Sequence, residues 1–166
     1  MAATSSTERA SLNEGMPAYA VSLLAEELAI SDARVLVLGV SYRGAVKESA
    51  FSGAFGLRDE LRRRGAVVVA ADPMYTDEEL RALGFEPWDR GPVDGAIVQA
   101  DHPEYSALSP GDLPGVRALV DGRAIVHEGP WVAAGITLAR IGQPQADPEA
   151  GQERPTQRPG APAARV

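Results

Sequence analysis

The 166-residue sequence contains no cysteine and only two histidines, His102 and His127. The absence of cysteine excludes disulfide bonds, thiolate metal sites and cysteine nucleophiles within this chain. Two histidines are too few for a histidine-rich metal site. No apolar run approaches the roughly 18–20 residues that span a membrane, and the polar first residues, MAATSSTERASLNEG, lack the apolar core of a signal peptide. We therefore expect a cytoplasmic protein with no membrane partner.

Positive charge is also in short supply, since 16 Lys and Arg residues stand against 23 Asp and Glu residues, for a net charge of −7. A protein that follows a nucleic-acid backbone usually carries a basic face, so we count nucleic acid out as a partner. A small anionic ligand stays compatible with the composition, because two or three well-placed cations are enough to bind it.

Apolar runs that alternate with helical patterns predict an α/β fold. Strands are predicted at 34–40, 66–73, 95–100 and 117–123, with a fifth, edge strand at 135–142, and helices at 50–64 and 76–83. A helix that starts at Pro17 precedes them, after a loose polar segment at 1–15. Buried strands joined by helices predict a Rossmann-like three-layer α/β/α fold with a mostly parallel sheet of about five strands, preceded by a helix.

The helix patterns carry further expectations. In the helix at 50–64, the inner face is predicted to consist of Phe51, Ala54, Leu57 and Leu61, while Arg58, Arg62 and Arg63 stay outside. Gly65 is a natural stop for this helix. Thr76 and Glu79 have the spacing of a capping box. From residue 143 the chain is rich in proline and almost free of large aliphatic residues, so the tail 143–166 is predicted to be disordered.

The loop after the first strand, in VLVLGVSYRGAVKESAFSGAF (35–55), is the best candidate for a binding site. Gly39 is not followed by the glycines of the dinucleotide fingerprint, and Ala45 stands where the P-loop requires lysine. One interpretation is a plain turn whose glycines only relieve strain. The other is a ligand site, because the loop lies at the carboxyl end of a strand and carries Tyr42, Arg43 and Lys47.

Five segments in register resemble the C-terminal, UDP-binding domain of the UDP-glucose/GDP-mannose dehydrogenase family. They are NEGMPAYAVSLL (13–24), GVSYRGAVKESA (39–50), GAVVVAADP (65–73), QADHPEY (99–105) and LVDGR (119–123). The resemblance divides the chain into an N-terminus and helix similar to the end of the central dimerisation region (1–32), a UDP-binding Rossmann-like domain (33–142) and the tail (143–166).

The resemblance implies an enzyme that oxidises the C6 alcohol of a UDP- or GDP-sugar to a carboxylate in two NAD-dependent steps, for polysaccharide precursor synthesis. In such enzymes a separate Rossmann domain binds NAD and a cysteine carries the covalent intermediates. Neither the glycine-rich NAD domain nor a cysteine is present in this sequence. We therefore expect a fragment of a longer enzyme, a piece that assembles with an NAD-binding partner chain or as a homodimer, or a relic that binds without catalysis.

By resemblance, Tyr42, Arg43 and Arg123 bind the substrate nucleotide and Lys47 approaches NAD. Lysine in place of the family's arginine weakens this last assignment, because lysine offers only a point charge. For each residue a structural role stays open: Tyr42 as a core cap, Arg43 as a solvated cation, Lys47 paired with Glu48, and Arg123 bridging to an acid.

Other polar and aromatic residues are expected to be structural. His102 is predicted to make hydrogen bonds at a strand end, and Asp72 to serve as a turn acid rather than a ribose ligand. Trp88 and Trp131 are predicted to be packing residues. Two other functions stay open: a non-catalytic nucleotide-binding or assembly module, and a free-standing Rossmann-like enzyme of unrelated chemistry, for which the sequence offers no nucleophile–base pair.

Overall fold

The computed structural model describes residues 6–141, with the backbone alone for residues 6–14. The predicted disordered tail at 143–166 lies outside the described residues. The elements are α1 (Ser6–Ala25), β1 (Arg34–Leu38), α2 (Ala54–Arg63), β2 (Val67–Ala71), α3 (Asp77–Ala82), β3 (Gly95–Val98), β4 (Ala118–Asp121), α4 (Gly129–Ala133) and β5 (Thr137–Arg140). Two 3-10 turns, Pro103–Ala107 and Pro110–Asp112, lie between β3 and β4.

The five strands form one parallel sheet in the order β2-β1-β3-β4-β5. This confirms the predicted Rossmann-like fold and the edge position of β5. The strand order reverses between β1 and β3, and in open parallel sheets the loops that leave the strands at such a point diverge and form a crevice. The fold therefore places the loop after β1 beside the loop after β3.

Helices cover one face of the sheet and shorter segments cover the other. On the first face, Leu24 of α1 and Leu61 of α2 are fully buried against strand residues such as Val35. On the second face, the 3-10 turns and α4 take the place of long helices. Trp131 of α4 is fully buried there, and its Nε1 donates to the carbonyl oxygen of Leu108 at 3.0 Å. The sequence pattern did not predict α4. The prediction that Trp131 is a packing residue is confirmed.

The predicted start of the first helix is wrong. Helix α1 begins at Ser6, so Pro17 lies in its interior and not in its first turn. A proline there removes one backbone hydrogen bond. Its ring lies against α2 at Gly56, where an added Cβ would be 2.7 Å from Cγ of Pro17. The close approach of α1 and α2 at Gly56 thus gives Pro17 a packing role that the local sequence does not reveal.

The prediction for the inner face of α2 is right at three positions and wrong at Phe51. Ala54, Leu57 and Leu61 are buried as expected. Phe51 precedes the helix, has a φ of 61° and is 96% exposed. The helix begins only at Ala54 because the preceding residues turn instead of continuing the helical pattern.

The predicted stop of α2 and the predicted start of α3 are both confirmed. Gly65 follows α2 with a φ of 88°, which confirms it as a helix stop. Thr76 and Glu79 form the predicted capping box at the start of α3. Arg58, predicted to stay outside, is instead half-buried, with its guanidinium 5.0 Å from the ring centre of Phe85. None of the helices within residues 6–141 is long and apolar enough to cross a membrane.

Candidate functional site

Asp72 at the carboxyl end of β2 holds the start of the loop that follows β1. Its Oδ2 accepts hydrogen bonds from the backbone N–H groups of Val40 at 2.7 Å and Ser41 at 2.8 Å, and its Oδ1 accepts one from Met74. Burial raises the pKa of the Asp72 carboxyl, but these hydrogen bonds and one from His102 lower it more, so the pKa lies below its ordinary value. Asp72 is therefore a charged anchor for the loop.

His102, after β3, holds the middle of the same loop. Its Nδ1 accepts a hydrogen bond from the N–H of Ala45 at 3.2 Å, so Nε2, 3.0 Å from Oδ2 of Asp72, carries the proton. The side chain is only 1% exposed. The neighbouring Asp101 accepts from the N–H of Gly44 at 2.6 Å. The prediction that His102 makes hydrogen bonds at a strand end is confirmed.

Four N–H groups of the loop are thus bonded to protein side chains. In a P-loop, by contrast, the backbone N–H groups of the loop point at the phosphates of the ligand. The side-chain amide of Gln99 also holds the loop. In the orientation that gives both its nitrogen and its oxygen a partner, it donates to the carbonyls of Gly39 and Ser41 and accepts from the N–H of Gly53. These four N–H groups are therefore not available to an anion at this loop.

Arg123 connects the end of β4 to the loop. Its Nε donates to the carbonyl oxygen of Gln99 at 2.7 Å, and its Nη2 donates to the carbonyl oxygen of Tyr42 at 3.0 Å. These carbonyl partners differ from the bridge to an acid that was the structural alternative for Arg123. The guanidinium is consequently fixed at the carboxyl edge of the sheet, between two loops.

A cleft of about 740 Å³ opens at this edge, on the side of the sheet that α1 and α2 cover. Its walls include Tyr42, Gln99 and Arg123 at the carboxyl ends of the strands, and Met16 and Gly56 from the helices. Its volume lies within the usual range for small-molecule sites. The structure thus brings together two of the predicted site residues, Tyr42 and Arg123. Residues 15–141 contain no group of three acidic or histidine side chains that could hold a metal ion.

Comparison with curated proteins finds relatives of one kind. The chain is 30% identical over 132 residues to UDP-N-acetyl-D-mannosamine dehydrogenase from Pyrococcus horikoshii, and the aligned segment covers 72% of this chain and 29% of that protein. It is 30% identical over 129 residues to a UDP-glucose 6-dehydrogenase from Haloferax volcanii, which covers 69% of this chain and 28% of the relative. The chain belongs to the UDP-sugar dehydrogenase family. No protein-family model matches it.

Solved structures of UDP-sugar dehydrogenases agree with this assignment. The structure of UDP-D-ManNAc dehydrogenase from Pyrococcus horikoshii matches with a TM-score of 0.61 and 26% identity over 79% of this chain and 32% of that one. A UDP-glucose dehydrogenase from Pyrobaculum islandicum matches with a TM-score of 0.60 and 25% identity over 81% of this chain and 31% of that one. This UDP-sugar dehydrogenase homologue spans about a third of the length of the relatives that it matches.

The other two predicted site residues do not line the cleft. Arg43 is exposed, is absent from the lining of the cleft, and makes no side-chain hydrogen bond or ion pair with residues 15–141. Lys47 forms an ion pair with Glu79 of α3, and its Nζ lies 5.3 Å from the ring centre of Tyr75. The structural alternative for Lys47, a pair with Glu48, is therefore replaced by a pair with α3.

Sequence reasoning missed three residues of the site. Gln99 and Asp101 hold the loop through hydrogen bonds. The sequence pattern shows them only as the end of a strand, because their partners lie 40 or more positions away in the sequence. Phe51 lines the cleft but was assigned to the core. A usable signal was present in QADH (99–102), where three polar side chains follow a buried strand of a predicted parallel sheet.

Proposed function

We propose that this chain is the C-terminal nucleotide-binding domain of an NAD-dependent UDP-sugar 6-dehydrogenase that serves polysaccharide precursor synthesis. Its cleft would bind the uridine diphosphate part of the sugar nucleotide. Tyr42, Arg43 and Arg123 are the proposed substrate contacts. The oxidation of the alcohol to a carboxylate requires a cysteine and an NAD domain that this chain does not supply.

The position of Arg123 is the observation that carries the proposal. Its guanidinium is held by two carbonyl groups at the mouth of a cleft that the ring of Tyr42 also lines. A planar guanidinium presents donors that match the oxygens of a diphosphate, and an aromatic ring presents a face to a base or sugar. Fixing the guanidinium in advance reduces the entropy lost when the ligand binds.

The residues present do not fit NAD at the usual place in a Rossmann sheet. The N–H groups after β1 that would face a pyrophosphate are bonded to Asp72, Asp101 and His102. Both carboxylate oxygens of Asp72, at the position of the ribose-binding acid, also accept hydrogen bonds from within the chain. NAD is therefore assigned mainly to another domain or to a partner chain. The proposed contact from Lys47 would require its pair with Glu79 to open.

A second candidate is a non-catalytic nucleotide-binding or assembly module. The predicted apolar stripe of α1 is mostly covered, since Ala20, Val21 and Leu24 are buried within this chain. Met16 and Tyr19 on the same helix are 44% and 51% exposed, which favours a partner surface there. An NAD-binding partner chain and a second copy of this chain are both compatible with that surface.

Calorimetric titration of the purified chain with UDP tests the leading proposal, with GDP and NAD as comparison ligands. Arg43→Ala and Arg123→Ala should each weaken UDP binding by about 1.5–3 kcal/mol, roughly tenfold or more, because a charge-assisted hydrogen bond is lost. Arg43→Ala tests whether an exposed side chain outside the lining of the cleft reaches the ligand, whereas Arg123 lines the cleft and also braces the loop.

Arg117→Ala is the matched control for these titrations. Arg117 carries the same charge at the opposite end of β4, where it pairs with Asp94 at 3.3 Å. Its removal should leave UDP affinity unchanged. Absence of UDP binding by the wild-type chain, or an equal loss in all three variants, would contradict the proposed site.

A further inference from the structure

Phe51 is an exposed aromatic residue in the turn that precedes α2. Its side chain is 96% exposed, although the sequence pattern assigns it to the buried face of α2. Its φ of 61° lies in the left-handed region, which carries a steric cost for a residue with a Cβ. An exposed aromatic ring on an unfavourable backbone indicates a function in binding better than a function in folding.

The residues on both sides of Phe51 hold it in this position. The N–H of Ser52 donates to the carbonyl of Ser49 at 3.0 Å, and the buried Oγ of Ser52 accepts from the N–H of Ala54 at 3.1 Å. The N–H of Gly53 lies within hydrogen-bond distance of the side chain of Gln99. The turn is therefore anchored to the end of β3, and the phenyl ring is directed outward by a defined backbone.

The ring forms part of the rim of the cleft that also contains Tyr42 and Arg123. Tyr42 is 50% exposed, so two aromatic rings face solvent at one cleft beside a fixed guanidinium. Aromatic side chains bind nucleotide bases by stacking, and such stacking tolerates any base because every base has a π-face. Phenylalanine has no polar atom, so it can recognise the face of a ring but not its hydrogen-bonding edge.

We propose that Phe51 stacks on the base of the nucleotide that this cleft binds. This inference rests on the proposed function and adds to it a residue for the heteroaromatic ring, while Arg123 serves the diphosphate. Because stacking does not distinguish one base from another, any preference for uracil would come from other residues of the cleft.

The test compares UDP with inorganic pyrophosphate, which has the charges but no base. Phe51→Ala and Phe51→Leu should each weaken UDP binding about tenfold or more and leave pyrophosphate binding unchanged, whereas Phe51→Trp should retain UDP affinity. Leucine separates stacking from a general apolar contact. Since Phe51 is exposed, the thermal midpoint of unfolding should not fall in any of these variants.

Val132→Ala serves as the control, because Val132 of α4 is also an exposed apolar residue, at 62%. Wild-type UDP binding with unchanged affinity in Phe51→Ala, or equal losses for UDP and pyrophosphate, would overturn the role of Phe51 and leave the proposed function intact. Failure of the wild type to bind UDP would overturn both. Self-association that is lost in Phe51→Ala at unchanged UDP affinity would assign the ring to a protein interface and overturn the stacking role.

Discussion

At the scale of single residues, His102 shows how the conformation of the loop depends on a side chain that does not line the cleft. Its two ring nitrogens bond to different partners, Nδ1 to the N–H of Ala45 and Nε2 to the carboxylate of Asp72. The ring also contacts Tyr105 edge-on, with 5.5 Å between the ring centres. His102 thereby fixes the middle of the loop relative to its start.

His102→Asn and His102→Gln should separate these two hydrogen bonds. The side-chain oxygen of asparagine takes about the place of Nδ1, while the longer glutamine amide takes the place of Nε2. We expect the N–H of Ala45 to remain protected from hydrogen exchange in His102→Asn and to exchange severalfold faster in His102→Gln. The bond to Nδ1 is partly buried, and a typical hydrogen bond contributes about 0.5–1.5 kcal/mol. Amide exchange followed by NMR measures this, and equal exchange in both variants would count against the bond to Nδ1.

At the scale of elements, the loop between β1 and α2 packs directly on the end of β3. A Cβ added at Gly44 would overlap the backbone carbonyl of Asp101. A Cβ added at Gly39, which has a φ of 95°, would overlap the Cβ of Ala100 and lie 2.8 Å from its backbone nitrogen. At these contacts no flexible side chain can move aside, so the loop after β1 and the segment after β3 are held tightly together.

Gly44→Ala should therefore separate the loop from β3. We expect a loss of about 1–3 kcal/mol in the free energy of unfolding from overpacking, measured by chemical denaturation, together with weaker UDP binding. Gly129→Ala is the matched control, since nothing lies within 4 Å of a Cβ there and its φ is not positive. If both variants unfold at the same denaturant concentration, the close approach at Gly44 does not contribute to stability.

Comparison of these elements with the sequence shows which features a local pattern can predict. The strands were predicted because a parallel sheet buries both faces, which produces continuous apolar runs such as RVLVL. The start of α1 was wrong because Pro17 suits a first helical turn, while the packing on Gly56 that accommodates it comes from tertiary structure. The prediction for Phe51 was wrong for a related reason. Ser52 and Gly53 contact Gln99, which is far away in the sequence, and the helix begins only after them, at Ala54.

Of the four predicted site residues, Tyr42 and Arg123 line one cleft. That they bind a nucleotide there stays a prediction. Arg43 and Lys47 occupy the same short loop but do not line the cleft, and Lys47 pairs with Glu79. Which way a loop side chain points is decided by the braces from β2 and β3, and none of these braces is visible in the sequence of the loop itself.

At the scale of the whole molecule, the proposal assigns nucleotide binding to this chain and the oxidation to groups outside the sequence given. It has no cysteine, and it spans about a third of the length of its dehydrogenase relatives. We expect the purified chain to produce no NADH from NAD and UDP-glucose or UDP-N-acetylmannosamine, measured by absorbance. The Pyrococcus horikoshii enzyme is the positive control with its own substrate. NADH formation by this chain alone, at a rate proportional to its concentration, would contradict the proposal that the oxidation needs groups from outside this chain.

The internal bonding of the loop has an electrostatic consequence. Because the N–H groups at the end of β1 are occupied, the proposed binding of a diphosphate would depend largely on guanidinium groups near the protein surface, in a chain whose net charge is −7. Charges near the surface are screened within about 10 Å at an ionic strength of 0.1 M. Under the proposed function, association with a diphosphate should thus respond steeply to added salt, and the ionic strength should set how much of the cleft is occupied.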